Sequence, residues 1–104
     1  METHNLFMDS DNLVKITLQD AHDESYVNSG TVTMTLKDTS GVDVTGAVDL
    51  ALAYVDASDG IWFGNIPDTI TLTEGSPYTL WITSTSGDFT LKERRNYIAK
   101  YAGD

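Results

Sequence analysis

The sequence predicts an all-β domain of about seven short antiparallel strands, arranged as a sandwich or a barrel. Residues 31–37 read Thr-Val-Thr-Met-Thr-Leu-Lys, so apolar side chains occupy every second position and polar side chains lie between them. A strand points successive side chains to opposite faces, and this segment therefore has one dry and one wet face. Weaker copies of the pattern recur along the chain with turn residues between them, which is typical of such domains.

The first half of the chain is predicted to contain an arm and four strands. Residues 1–11 have no pattern beyond Leu6-Phe7-Met8. We interpret them as an N-terminal arm that is either a disordered start or docks on a partner or on the domain itself, because three adjacent apolar residues are costly to expose. The domain proper is expected at 12–104. Alternation predicts its first strands at 12–18, 31–37, 42–44 and 48–55.

The second half continues the same alternation after an Asp-Gly hairpin loop at 56–60. The next segments with apolar side chains on one face are 61–66, 69–73, 78–83, 89–91 and 96–101. The last one is ambiguous, because residues 94–101 also fit the spacing of a helix; the strand is the favoured interpretation.

The charge of the chain is large and unevenly distributed. The net charge is −10; residues 1–91 hold 14 acidic and two basic residues, whereas residues 92–104 are net positive. An acidic body repels nucleic acid and anionic lipid, so we expect neither as a partner. The basic residues Lys92, Arg94, Arg95 and Lys100 are candidates for docking on an acidic surface, including a neighbouring copy. Alternatively, they protect an edge strand from stray pairing.

The sequence contains no pattern of catalytic residues. Its two histidines, His4 and His22, lack a second histidine at a metal-binding spacing, and cysteine is absent. Loop acids at Asp20, Asp23 and Glu24, and in a second loop at Asp56 and Asp59, could hold calcium, although solvated carboxylates are the favoured interpretation. No stretch approaches the roughly 20 apolar residues of a membrane span. We therefore predict a protein that is not an enzyme, needs no cofactor and has no membrane partner.

The two tryptophans have different expected locations. Trp62 shares a strand face with Gly64 and Ile66, and we expect it in the core. Trp81 alternates with Leu80 and Ile82, so it should point away from the core. An outward tryptophan is a candidate contact residue, because tryptophan is enriched at the energetic centres of interfaces. It could instead cover a patch of the domain's own sheet.

Two segments, DGIWFG at 59–64 and EGSPYTLWI at 74–82, resemble parts of immunoglobulin-like (Ig-like) sandwich domains. Tyr78 after its glycine-containing turn is similar to the tyrosine corner of those domains, whose hydroxyl bonds to upstream backbone. Over residues 13–101 the chain also resembles the small Ig-like proteins encoded among the virion genes of tailed bacteriophages. This resemblance implies an antiparallel Ig-like β-sandwich of about seven strands.

The resemblance implies a structural role in a bacteriophage virion, as a capsid decoration or a head–tail junction component. Such a protein is made in the bacterial host cytoplasm and works by protein–protein contacts with other virion proteins or copies of itself, in a multimeric assembly. A carbohydrate- or cell-surface-binding Ig-like module is the alternative. The residues expected to contact a partner are Leu6, Phe7, Met8, Trp81, Lys92, Arg94, Arg95 and Lys100.

Overall fold

A computed structural model describes residues 3–19, 25–87 and 89–101 of the chain. This part of the chain contains strands and no helix, which confirms the all-β prediction. The strands are β1 (Thr3–Phe7), β2 (Asn12–Thr17), β3 (Thr31–Lys37), β4 (Leu50–Tyr54), β5 (Ile61–Ile66), β6 (Pro77–Ser86) and β7 (Phe89–Lys100).

The strands form one seven-stranded sheet in the order β1-β7-β6-β3-β4-β5-β2. Neighbours are antiparallel except β1 and β7, which run parallel, and β1 lies in the segment interpreted as an arm, outside the antiparallel domain expected at 12–104. The strand directions require this exception. β5 and β7 run the same way, β2 is antiparallel to β5, and the chain reverses between β1 and β2, which leaves β1 parallel to β7.

The sheet is nearly closed and barrel-like, because its two end strands are consecutive in the chain. β1 and β2 lie at opposite ends of the strand order, yet only residues 8–11 separate them. The Asn12 side chain bridges this corner: its Oδ1 accepts a hydrogen bond from the Phe7 N–H, and its Nδ2 donates one to the Phe7 carbonyl, each at 2.9 Å. Through these two bonds, the Asn12 side chain satisfies the backbone N–H and carbonyl of Phe7, as a neighbouring strand would, at the point where β1 and β2 meet.

The core is built from the inward-facing positions of the strands. β3 shows the predicted alternation, with Val32, Met34 and Leu36 all buried. Gly64 lies among these side chains, and a Cβ at this position would be only 2.6 Å from Leu52 Cγ. A glycine therefore permits the close approach of β5 to the side chain of β4. The largest fully buried side chains among the described residues are Leu6, Leu18, Met34, Leu36, Ile66, Leu80, Ile82 and Val32.

The predicted strand bounds agree best where the alternation is strict. β3 and β5 have the predicted limits, and β2 ends one residue before the predicted strand. The segments 42–44 and 69–73 are not strands: the first makes a single bridge between Asp43 and Lys37, and the second buries Ile70 and Leu72 from a loop. The ambiguous segment 94–101 is confirmed as a strand through Lys100, as part of the long β7.

Tyr78 forms the bond expected of a tyrosine corner. It lies at the second position of β6 and is buried, and its hydroxyl oxygen accepts a hydrogen bond of 2.8 Å from the backbone N–H of Thr73. This bond fixes the loop between β5 and β6 to the start of β6, since a buried hydroxyl needs a partner.

Candidate functional site

The outward side chains of β3, β6 and β7 form a continuous surface that we call the Trp81 face. Strand pairing sets its rows: Trp81 lies opposite Thr35 and Arg94, and Thr83 lies opposite Thr33 and Lys92. Because side chains alternate across a strand, these residues share one face while Leu80 and Ile82 enter the core. The face consists of Thr33, Thr35, Lys37, Thr79, Trp81, Thr83, Lys92 and Arg94.

Trp81 lies near the middle of this face and is 36% exposed. The Cζ atom of Arg94 is 5.7 Å from the centre of the indole ring, a distance at which a guanidinium is attracted to the ring face. The outward orientation that register predicted for Trp81 is confirmed, and Trp62 is buried in the core as expected. The Arg94 guanidinium restrains the Trp81 side chain, which does not belong to the core.

A groove of about 370 Å³ runs along the Trp81 face and is lined by hydroxyls, charged groups and apolar surface. Lys37 Nζ and Asp43 Oδ1 form an ion pair at 2.5 Å at its wall. The backbone N–H of Asp49 donates a hydrogen bond of 3.0 Å to Thr35 Oγ1, which holds the loop before β4 against the sheet. The groove lining is Thr33, Thr35, Lys37, Asp43, Val48, Asp49, Trp81, Thr83 and Lys92.

Positive charge is concentrated on this side of the molecule. By alternation along β3 and β7, the side chains of Lys37, Lys92 and Arg94 point outward on the Trp81 face, and Lys100 points to the same side at the far end of β7. These are four of the six basic residues in a chain of net charge −10. Asp43 and Asp49 also line the groove, and Asp43 is paired with Lys37, so the Trp81 face has charges of both signs with Lys92 and Arg94 beside the indole.

Arg95, also predicted to contact a partner, does not belong to the Trp81 face, and no observation tests its role in binding. It points to the other side of β7, where its Nε donates a hydrogen bond of 2.8 Å to Glu93 Oε2. It also interacts with Tyr97: burial raises the pKa of the Tyr97 hydroxyl above its usual 10.0, and the nearby Arg95 charge partly opposes that rise. Arg95 thus has a structural environment within its own domain.

The alternative interpretation of the basic run as edge protection also has support. β1 pairs with β7 only along Asn96–Lys100. Within the described residues, the first seven residues of β7 have β6 on one side and no strand on the other. Charged side chains along such an edge discourage pairing with another chain. Lys92 and Arg94 can serve this purpose and still contribute to the Trp81 face.

The three apolar residues predicted as an interacting arm are held by the domain itself. Leu6 is 0% exposed inside the core, which fits the alternative that the arm docks on the domain itself and leaves Leu6 out of reach of a partner while β1 stays in place. Phe7 is half-buried opposite Lys100, and Met8 is half-buried with its N–H bonded to the Lys100 carbonyl at 2.8 Å. The apolar cost of an exposed arm is avoided by pairing it with β7.

The described residues contain no group of three or more His, Asp or Glu side chains arranged to hold a metal ion. His4 packs its ring against Tyr97, with 5.6 Å between ring centres. Of the loop acids considered for calcium, Asp20, Asp23 and Glu24 lie outside the described residues, as does His22, while Asp56 and Asp59 are exposed.

Lys37, Asp43 and Val48 line the groove but were not singled out by the sequence. Their place depends on β3 pairing with β6 and on a loop folding back beside β3, and neither contact is visible in local alternation. The only available signal was the outward position of Lys37 at the end of β3. Long-range pairing, rather than any motif, brings these residues to Trp81.

Among the described residues, no helix is long and apolar enough to cross a membrane. Comparison of the chain with models of protein families, with curated protein sequences and with solved structures finds no match. The site is therefore characterised by its own geometry and charge.

Proposed function

We propose that this chain is a structural protein of a bacteriophage virion, a capsid decoration or a head–tail junction component, that docks through the Trp81 face on an acidic protein surface. The observation that carries the proposal is a partly exposed Trp81 with the Arg94 guanidinium over its ring and Lys92 on the same face, on an otherwise acidic chain. An aromatic anchor with an adjacent arginine is the composition of an interface centre.

The strand connections support the Ig-like part of this proposal. In an Ig-like sandwich the second strand pairs with the fifth, and the third, sixth and seventh lie side by side. The pairs β2–β5, β3–β6 and β6–β7 reproduce that arrangement. β4 pairs with β3 through Leu50–Leu52 and with β5 through Ala53 and Tyr54, as a strand would that crosses from one layer of a sandwich to the other. The Tyr78 hydroxyl bond adds the tyrosine corner.

A multi-copy assembly fits the modest size of the Trp81 face. Each copy on a symmetric shell needs only moderate affinity, because many equivalent contacts act together. Opposite charge speeds encounter and fixes orientation more than it adds affinity. A small face with one aromatic anchor and three cations is sufficient for a subunit of such an assembly.

Carbohydrate binding is the second candidate, and the groove composition favours it. Thr33, Thr35 and Thr83 place hydroxyls beside the indole of Trp81, and Asp43 and Asp49 add carboxylates. A sugar ring could lie against the indole while its hydroxyls bond to these groups. This alternative needs the indole face to be free, whereas the Arg94 guanidinium lies over it.

Mass spectrometry of phage particles tests the main proposal. Particles purified on a density gradient from the source organism should contain the chain in a fixed ratio to a capsid or portal protein. A host protein of similar acidity serves as the control for contamination. Absence of the chain from purified particles would contradict the proposal, and specific binding on a glycan array that Trp81→Ala removes would favour the second candidate.

A further inference from the structure

We infer that the uncovered edge of β7, from Leu91 to Arg95, binds an extended acidic segment of a partner protein as an additional strand. Main-chain hydrogen bonds give such a strand its affinity, and side chains at alternate positions give it specificity. The site is an edge of the sheet rather than the Trp81 face, so it does not rest on the proposed function, although Lys92 and Arg94 contribute to both.

The backbone of this edge lacks a neighbouring strand on one side. β6 pairs with β7 along its whole first part, whereas β1 reaches only Asn96–Lys100 on the other side. Within the described residues, no backbone hydrogen bond joins Leu91–Arg95 to any segment other than β6. Alternate N–H and carbonyl groups of this stretch therefore face away from the sheet and form a template on which a further strand can pair.

The outward side chains of this edge include two cations without an acidic partner among the described residues. Lys92 and Arg94 are exposed and lie two positions apart on the same side of β7. The ion pairs in the described part of the chain involve Lys37 and Arg95 instead. Opposed residues of neighbouring strands have Cβ atoms about 5 Å apart, so two acidic side chains at positions i and i+2 of an added strand would lie beside these cations.

The inward side chains of the same edge provide a contact for an apolar residue. Leu91 has the same orientation along β7 as the buried Tyr97 and Ala99, yet it is 36% exposed. An added strand would place a side chain against Leu91 and remove apolar surface from water. The expected segment therefore alternates, with acidic residues on one side and an apolar residue on the other.

The basic side chains make pairing at this edge selective. They repel strands with basic side chains and disfavour neutral ones, which is how charged edges prevent aggregation. An acidic segment neutralises the same charges, so one feature excludes wrong partners and favours the expected one. The β7 edge of a second copy is a poor occupant, because it brings Lys92 and Arg94 to the same contact.

NMR titration of the isotopically labelled chain with the acetylated and amidated peptide Val-Glu-Thr-Glu-Val tests the inference. The order of side chains is the same from either end, so the glutamates can lie beside Lys92 and Arg94 in a parallel or an antiparallel pairing. We expect saturable shifts of the amide signals of Leu91–Arg95. The charge-reversed control, Val-Lys-Thr-Lys-Val, should bind at least tenfold more weakly. No saturable shift at this edge, or equal binding of the two peptides, would overturn the inference.

Methylation of the peptide backbone separates strand addition from a purely electrostatic contact. In an added strand, only alternate N–H groups point to β7. N-methylation of the two glutamates and N-methylation of the other three residues should therefore have different effects. One of these peptides should bind at least tenfold more weakly than the unmodified peptide, and the other within twofold of it. Similar effects of the two modifications would contradict strand addition.

Variants of the chain locate the bound peptide and separate this site from the proposed function. Lys92→Glu should weaken binding of the glutamate peptide at least fivefold. Lys15→Glu is the matched control on β2 and should bind as the wild type does. Trp81→Ala should also bind the peptide within twofold of the wild type, even where it no longer joins particles. Unchanged binding by Lys92→Glu, or equal losses in the two lysine variants, would contradict the inference.

Discussion

The two outer faces of the sheet obey the same alternation and have different chemistry. The Trp81 face has threonines, three cations and an indole around a groove. The opposite face, which we call the Leu13 face, comprises the outward residues of β2 and β5 and has Lys15 opposite Phe63, with Leu13 opposite Asn65. Leu13 is the more exposed residue, at 71% against 36% for Trp81.

The difference teaches that exposure alone does not locate a functional surface. A single exposed leucine is common on soluble proteins and needs no partner. On the Trp81 face several features coincide, namely basic residues on a mostly acidic chain, an aromatic side chain beside one of these cations and a groove. Beneath both faces, the inward residues specify the fold, so the outward residues are free to differ. Substitutions of inward and outward residues should therefore have different effects on stability.

The largest expected effect separates the two tryptophans. Trp62→Ala should lower the free energy of unfolding by about 3–5 kcal/mol, since it removes a buried ring and its Nε1–H bond of 3.1 Å to the Val27 carbonyl. Trp81→Ala, the matched control, should cost less than Trp62→Ala, because the Trp81 side chain is 36% exposed against 4% for Trp62 and has a surface contact with Arg94 in place of a buried hydrogen bond. Urea unfolding measures both; equal losses would place Trp81 in the core and contradict the division into faces.

The tyrosine corner should contribute a smaller amount. Tyr78→Phe keeps the buried ring but leaves the N–H of Thr73 without its acceptor, which should cost about 1 kcal/mol. Tyr26→Phe is the control, because Tyr26 is 46% exposed and a similar change there should have little effect. If thermal unfolding shows no difference between the two variants, the hydroxyl bond does not stabilise the loop before β6.

The pH dependence of stability should reveal the burial of Tyr97 on the inner side of β7. The pKa of Tyr97 is raised in the folded chain by burial, so the folded state holds its proton more firmly than the unfolded state does. The resulting stability is fully present below the unfolded pKa of 10.0 and is lost as the pH rises through the folded pKa. Tyr97→Phe should flatten the decline of stability above pH 10, and an unchanged slope would show that other groups cause it.

The smallest effect is expected on the Leu13 face. Leu13→Ser should change the free energy of unfolding by no more than about 0.5 kcal/mol, because the side chain is mostly in water already. A decrease in the free energy of unfolding of more than about 2 kcal/mol would mean that Leu13 packs against part of the chain and that the Leu13 face contributes to the core. Chemical denaturation of the variant beside the wild type provides the measurement.

The sequence predicted those strands whose inward residues are consistently apolar. In β3, strict alternation between turn signals set both ends correctly. In β7, the charged run from Lys92 to Asn96 interrupts the apolar alternation, so the sequence predicted two short strands where the structure has one. Glu93 and Arg95 face inward in the part of β7 that β1 does not reach, and they bond to each other there, so apolar residues are not required. β1 was too short to show a period, and only its pairing with β7 reveals that Leu6 belongs to the core.

The candidate site was predictable in one part and not in another. Trp81 could be placed outward because its neighbours alternate within one strand. Lys37 and Asp43 could not be assigned to the same surface, because their positions follow from pairing between distant segments of the chain. Arg94 and Arg95 could not be assigned to faces because the segment 94–101 also fitted a helix; once it forms β7, the two arginines point to opposite sides.

The most direct test of the account is to measure incorporation of paired variants into phage particles. The chain is supplied as wild type, Trp81→Ala or Leu13→Ser to particles lacking it, and the amount bound per capsid is quantified by mass spectrometry. We predict that Trp81→Ala binds at least tenfold less than the wild type, while Leu13→Ser binds equally well. Equal binding of all three, or a loss confined to Leu13→Ser, would contradict the assignment of the Trp81 face as the docking surface.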